Sequence, residues 1–441
     1  MKIAFVTQHW DEVVPRVGGS SSIPILTYQI ARRLTQSGEV IIYAKRGHSQ
    51  QKVQCDDEGI HYRRMSVTAE DWLLKPFKFL GRLSGFCNPK RPFFASRLYY
   101  LGYALQVARD LRTQQPDIVH IHNFSQFVPV IRAFNPEVKI VLHMHCEWLT
   151  QLDQAMIEQR LRHVDLVVGC SEYITEKVRR RFPQFAGRCQ TVFNGVDVHH
   201  FVSENGHSVS KENDVKRLLF VGRISPEKGV HVLMDAFQKV VEHCPQVQLD
   251  IVGPGGNAPF EFVVFVSDDE KVSDLASFYS RILRRGDYFS YLQRRLPSNL
   301  ASRVNFVGHV PNSLVIDYYR DADVFILPSL WNEPFGMPLV EAMASEVPVI
   351  ATRGGGITEI VEEGQTGLLV ERDNATALAE AILRLLVDDD LRKRMGKAGR
   401  EQAIERYSWD LVTENLLHLY EHICYGDEQT IASNSSVTPI L

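Results

Sequence analysis

The residues best suited to chemistry fall at the ends of short apolar runs. "FVGRISPEKG" (220–229) closes one such run at Gly222 and follows it with Arg223 and Lys228 across a turn containing Pro226. An arginine fork and a lysine point charge at the carboxyl end of a strand suit an anionic ligand. Two solvated loop cations are the plainer alternative. "LWNEPFGMPLVEA" (330–342) sets Glu333 and Glu341 on either side of a Pro-Phe-Gly-Met-Pro interruption. Pro334 and Pro338 bar a continuous helix between the two glutamates, and Pro338 suits a first helical position. A helix is therefore predicted from Pro338 through Ala344. The backbone N–H groups around Phe335, Gly336 and Met337 would point at an anion, and Glu341 would sit in the first turn, where the helix dipole favours a carboxylate. Glu333 lies in the loop outside and is not explained by capping. A glycoside hydrolase also uses two carboxylates, but it needs no cation pair, so the company of these residues favours a phosphorylated donor.

Other groups are weaker. Gly18-Gly19-Ser20 lies between a first strand and a first helix, where backbone N–H groups can approach a phosphate or sugar. It lacks the G-x-G-x-x-G spacing of a dinucleotide fingerprint. Two H-x-H pairs, His120/His122 and His143/His145, end strands and could each place two imidazoles on one face for a metal. Cys146 adds a thiol beside His145. Carboxylates at supporting spacings are lacking, so core or crevice histidines are expected and no metal is assigned, with His145 the best functional candidate. Asp321 and Asp323 read as helix-end and strand-start residues. Gly354 to Gly356 read as a tight turn or a place of close ligand approach, before a helix containing Glu359.

These residues need a frame. Strand-like runs at 2–7, 40–44, 117–122, 139–145, 165–170 and 190–194 alternate with helical stretches such as "IPILTYQIARRLTQSG". The same rhythm restarts at 217–222, 247–253, 303–308, 323–328, 347–352 and 367–370. Continuous apolar strands separated by helices imply parallel sheets covered on both faces. Two doubly wound α/β domains in tandem would face a crevice. The predicted division is 1–202, a polar linker 203–216, a second domain 217–408, a helix 409–425 and a disordered tail 426–441. The long connection 254–302 is expected to be mostly helical, with a mobile portion near 256–272.

Composition sets outer bounds. A chain of 441 residues exceeds one ordinary core. A net charge of −4 gives no global reason to expect nucleic acid. Seven cysteines without a C-x-x-C pair read as reduced thiols in the cytoplasm. The amino terminus reads as a strand, not a signal peptide, and no apolar run approaches the ~20 residues that span a bilayer.

Taken together, "GRISPEKG", "NEPFGMPLVEA", "GGGITEIVEEGQTGLLV", "FNGVD" and the early "GGS" resemble, in order and spacing, the retaining family 4 glycosyltransferases. The resemblance implies the GT-B fold, with two Rossmann-like domains facing a crevice and a last helix crossing back to the first. It implies that Arg223 and Lys228, after Gly222, hold the diphosphate of a nucleotide-sugar donor. Glu341 would meet the ribose, and Glu333 the donor sugar, helped by backbone N–H groups of Phe335, Gly336 and Met337. His145 would lie near the reacting carbon and Gly19 would approach from the opposite domain. Family members typically need no metal. Where the family usually has His-Asp, this chain reads "HCEW", which leaves the partner of His145 open.

The acceptor is less legible. Residues Trp72 to Arg97 contain six basic residues, six aromatics and no acid. That mixture suits an anionic membrane surface and a lipid-linked or glycolipid acceptor. A soluble acceptor beside an inward-packed loop is the alternative. A sugar-nucleotide epimerase, a phosphorylase or an H-x-H metallohydrolase are the rival activities.

Overall fold

The structure is a computed structural model that describes residues 1–16, 21–76, 88–201, 215–256, 258–285 and 287–426. It divides into two compact units, one of Met1–Phe193 with the chain from Trp409 onward, the other of Asn194–Ser408.

The first unit is built on eight strands: β1 Lys2–Val6, β2 Glu39–Lys45, β3 Val53–Cys55, β4 Ile60–Met65, β5 Ile118–His122, β6 Lys139–Met144, β7 Leu166–Gly169 and β8 Cys189–Thr191. Their order is β3-β4-β2-β1-β5-β6-β7-β8. All neighbours are parallel except the β3–β4 hairpin. Ile3, Ala4, Phe5 and Val6 are all buried, so both faces of the central strand are covered, as continuous apolar runs require. The last helix, Trp409–Tyr425, belongs to this unit. Trp409, Val412, Thr413, Leu416 and Tyr420 recur at helical spacing on its buried face. Arg33 donates to Asp410 at 2.6 Å, tying this helix to Ser22–Leu34.

The second unit carries β9 Lys216–Val221, β10 Val247–Val252, β11 Val304–Gly308, β12 Val324–Leu327, β13 Val349–Thr352 and β14 Gly367–Val370. Every pair is parallel, in the order β11-β10-β9-β12-β13-β14. The order reverses between β9 and β12, and the crevice outside such a switch point is where open α/β sheets take ligands. The segments leaving these two strands are 222–229 and 328–336.

Several predicted boundaries move. Asn194–Phe201 joins the second unit, not the first, because Val196 N–H donates to the Tyr407 carbonyl at 2.7 Å and the Phe201 ring meets Tyr319. Lys216 is the first residue of β9, not linker. Residues 203–214 and 427–441 lie outside the described residues, as do 17–20, so neither the tail nor the Gly18-Gly19-Ser20 turn is placed. The connection 254–302 holds helices at Phe260–Val263, Glu270–Arg285 and Tyr288–Arg295.

Candidate active site

At the end of β9 the chain passes through Gly222 into a tight 3-10 turn, Pro226–Lys228. Arg223 donates from Nη2 to Glu227 Oε1 at 3.0 Å and from Nε to Ser225 Oγ at 3.3 Å. Glu227 is completely buried and accepts two further hydrogen bonds, from Ser225 Oγ at 2.6 Å and from the Tyr279 hydroxyl at 3.0 Å. One edge of the Arg223 guanidinium is thus occupied, while 42% of its side chain remains exposed. The cation is pre-oriented without being enclosed.

Lys228 is not a solvated point charge. Its Nζ donates to Glu333 Oε1 at 2.6 Å, and Ser329 Oγ donates to the same oxygen at 2.5 Å. Burial pushes the Glu333 carboxyl up, but the Lys228 charge and these hydrogen bonds outweigh it and hold the carboxyl below its usual range. The Lys228 ammonium also lies 5.4 Å from the centre of the Trp331 ring. The pair therefore bridges the ends of β9 and β12.

The glycine loop 354–356 proves to be part of this support. Gly356 N–H donates to the Glu333 carbonyl at 2.7 Å. Gly355 has φ +61°, and a Cβ there would lie 2.2 Å from the same carbonyl oxygen. Only glycine lets the two turns approach so closely.

The helix after Glu333 is Met337–Ala344, one residue earlier than predicted, with Pro338 second. Gly336 precedes it with φ +112°, a conformation that favours glycine. Phe335 is buried and meets the Tyr407 ring edge-on at 5.7 Å, which fixes the loop. Met337 opens the helix, where the first N–H groups have no intrahelical acceptors. Glu341 is the fifth helical residue, beyond the first turn, so the dipole explanation is corrected. Its Oε2 accepts from the Tyr319 hydroxyl at 2.8 Å instead. Burial raises its carboxyl, and the Tyr319 hydrogen bond partly offsets this. Asp321 and Asp323 take no part here: the first ends the helix Asn312–Asp321, and the second accepts from Arg217 N–H at 2.7 Å.

In the first unit the histidines pair across strands β5 and β6. His120 Nε2 lies 3.1 Å from His143 Nδ1, and His122 Nδ1 lies 3.0 Å from His145 Nε2. The Tyr420 hydroxyl, from the last helix, meets His120 Nδ1 at 2.6 Å. His145 stands just past β6, which ends at Met144 and not at 145 as predicted. Its partner is thus His122, and Glu147 turns away to Lys177 and the Tyr173 hydroxyl. The hydrogen bonds also assign the tautomers. Thr27 Oγ donates to the Ile23 carbonyl at 2.7 Å, so at 3.1 Å it accepts from His122 Nε2–H. His122 Nδ1 then accepts from His145 Nε2–H, leaving His145 Nδ1 as an acceptor. Burial lowers His145 to about 3, so the imidazole is neutral near pH 7. His120, His122 and His143 offer nitrogens within 4.8 Å of one another, which makes them the group most able to hold a metal among the described residues, but it contains no carboxylate. Burial pushes the Cys146 thiol up to about 12, which removes the thiol-nucleophile reading.

Residues 25–200 match the model of Glycosyltransferase Family 4, and residues 203–402 match that of Glycosyl transferases group 1. The chain belongs to the family 4 glycosyltransferases. It is a hexosyltransferase that moves sugar from a nucleotide-sugar donor, with the GT-B two-domain fold. Among curated relatives, it is 29% identical to the phosphatidyl-myo-inositol mannosyltransferase of Mycobacterium tuberculosis, over 70% of this chain and 74% of that one. It is 25% identical to the lipopolysaccharide 1,2-N-acetylglucosaminetransferase of Salmonella typhimurium, over 94% of this chain and 96% of that one. The sucrose-phosphate synthase structure from Thermosynechococcus elongatus superposes with a TM-score of 0.68 at 22% identity, covering 98% of this chain and 99% of that one.

Within this glycosyltransferase, sequence reasoning missed Glu227, Tyr279, Tyr319 and the His122 partnership. Glu227 had a signal, since an acid between two cations in "RISPEK" invites an ion pair. The tyrosines had none, because their partners lie 52 and 22 positions away.

Proposed function

We propose that this glycosyltransferase retains configuration at the anomeric carbon and acts on a hydroxyl of a lipid-linked saccharide or glycolipid at an anionic membrane surface. The observation that carries the donor half is the Lys228–Glu333 pair beside Arg223, at the switch point of the second sheet. Arg223 and Lys228 hold the diphosphate and stabilise the departing nucleotide. Glu341 takes the ribose hydroxyls. Glu333 takes hydroxyls of the sugar, with the amides around Phe335, Gly336 and Met337. His145, in the first unit, keeps an accepting Nδ1 that suits a sugar hydroxyl. Attack from the front face, with the donor phosphate accepting the proton, leaves the protein the tasks of positioning and electrostatic stabilisation. Cationic side chains and a helix N-terminus then replace a metal ion, and activity is expected to survive chelators; a metallohydrolase would not.

The membrane half rests on an inverted short helix, Thr68–Leu73. Its acids point inward: Glu70 accepts from the N–H groups of Gly102 and Tyr103 at 2.7 Å each, and Asp71 accepts from the Tyr100 hydroxyl. Trp72 and Leu73 are left 71% and 57% exposed, near exposed Lys75. Phe94, by contrast, packs inside against Trp148 at 4.8 Å, so the aromatics of 72–97 do not act as one face. Residues 77–87 lie outside the described residues. Among the described residues no helix is long and apolar enough to cross a membrane, so docking would be peripheral, on the cytoplasmic face. The two relatives named for phosphatidyl-myo-inositol and lipopolysaccharide support this class of acceptor.

Thermal shift with UDP, GDP and ADP sugars tests the donor half; no stabilisation by any of them would sink it. Sedimentation with liposomes of neutral or anionic lipid tests the other. Binding that needs anionic lipid and fades in Trp72→Ser supports it, and absence of binding removes it.

A further inference from the structure

The segment between β10 and β11 is long for a connection, and it reaches back into the site at three places. Tyr279, on the helix Glu270–Arg285, is 3% exposed and donates its hydroxyl to Glu227 Oε2, the carboxylate that orients Arg223. Asp269, just before that helix, accepts through one oxygen from Asn332 Nδ2 and from Arg372 Nη2, both at 2.9 Å. Arg372 in turn donates to the Leu330 carbonyl at 3.1 Å. Asn332 and Leu330 flank the turn that ends in Glu333. Tyr288, on the next helix, accepts from His231 N–H at 3.1 Å, close to where the helix after Lys228 begins. Nothing in a mere linker calls for two buried hydroxyls and a half-buried carboxylate aimed at both arms of a binding site.

We propose that this segment is part of the donor site, and that Tyr279 and Asp269 are its positioning residues. Tyr279 acts through Glu227 on Arg223, the arm that meets the diphosphate. Asp269 acts through Asn332 and Arg372 on the turn carrying Glu333, the arm that meets the sugar. The two contacts thus govern different parts of one ligand. The inference rests on the donor-binding reading above.

The division of labour makes it testable with purified full-length protein. Affinities for a nucleoside diphosphate and for the matching nucleotide sugar are measured separately, by calorimetry, for Tyr279→Phe, Asp269→Asn and Tyr291→Phe. Tyr279→Phe is expected to weaken both ligands by about 5- to 10-fold, less than the full worth of a hydrogen bond to a charged group because Tyr279 acts through Glu227. Asp269→Asn is expected to leave diphosphate affinity within about twofold while erasing several-fold of the extra affinity given by the sugar. Tyr291, whose hydroxyl accepts only from Arg295 among the described contacts, serves as the control and should bind as wild type. Glu227→Gln should weaken the diphosphate, and adding Tyr279→Phe to it should cost nothing more. Loss of both ligands in equal measure in Asp269→Asn, wild-type binding by Tyr279→Phe, or equal losses in Tyr291→Phe would each overturn the assignment. If the wild type binds no nucleoside diphosphate at all, the donor reading fails with it.

Discussion

Lys228 Nζ and Glu333 Oε1 lie 2.6 Å apart, joining the turns that follow two adjacent strands at the switch point of the sheet. The pair is nearly sealed, with side-chain exposures of 18% and 5%. Removing only the cation leaves an uncompensated buried carboxylate, which costs ~3–5 kcal/mol where the charge stays buried. Lys228→Ala should therefore lose both activity and stability in urea denaturation. The double variant Lys228→Ala with Glu333→Gln should be more stable than Lys228→Ala alone, because the orphaned charge is gone. It should stay inactive. A double variant as unstable as the single one would mean that the pair does not carry the turn.

The charged residues of the two arms and the groups that hold them differ in how far the sequence revealed them. Arg223, Lys228, Glu333 and Glu341 were legible because glycine and proline punctuate their strand ends. The alternating sheets were legible because continuous apolar runs have few other solutions. The hairpin β3–β4 was not. It rests on Asp56, whose oxygens accept from Glu58 and Ile60 N–H and from the Tyr62 hydroxyl, while Val53 and Cys55 stay exposed. A strand held by side-chain hydrogen bonds on a sheet edge has no apolar signature. The same holds for Glu227, Tyr279 and Asp269, since long-range polar pairing leaves no periodicity to read.

Glu341 and Tyr319 offer a graded test of the ribose contact. Glu341→Ala should weaken nucleoside diphosphate binding by about 10-fold or more, the worth of hydrogen bonds to a charged acceptor. Tyr319→Phe leaves the carboxylate but releases its orientation, so a smaller loss is expected. A 2′-deoxy nucleotide should erase the difference between Glu341→Ala and wild type. If Glu341→Ala weakens the deoxy ligand just as much, the glutamate does not meet the ribose.

The histidine network makes the fold sensitive to mild acid. Burial lowers His120 and His145 to about 3, and His122 and His143 lie well below the usual value. Unfolded histidines titrate near ~6.5, so between the two values the unfolded chain binds more protons and stability rises with pH. The contribution is complete above ~6.5 and falls as pH drops below it, by about 1.4 kcal/mol per pH unit for each group that stays neutral in the fold. In Asp11→Asn, which removes a buried carboxyl raised to about 7 that would titrate with opposite sign in the same window, the Tm should thus drop between pH 7 and 5. His143→Phe should flatten that slope. A Tm constant down to pH 5 would show that these rings accept protons in the native state.

The tautomer of His145 is set from a distance by a threonine. Thr27 gives its proton to the Ile23 carbonyl and accepts from His122 Nε2–H, so His122 Nδ1 must accept from His145 Nε2–H. Thr27→Val is close in size but removes that acceptor and strands a buried N–H, at about 1–3 kcal/mol. His122 can relieve the cost by moving its proton to Nδ1, which reverses the bond and turns His145 Nδ1 from acceptor to donor. If a sugar hydroxyl is bound there, kcat should fall by about 10-fold or more while nucleoside diphosphate affinity stays unchanged. Thr27→Ser keeps the hydroxyl and should restore most of the rate. Nitrogen-15 chemical shifts of His145 report the tautomer directly. An unchanged tautomer in Thr27→Val together with a lost rate would place the effect in packing and not in the relay.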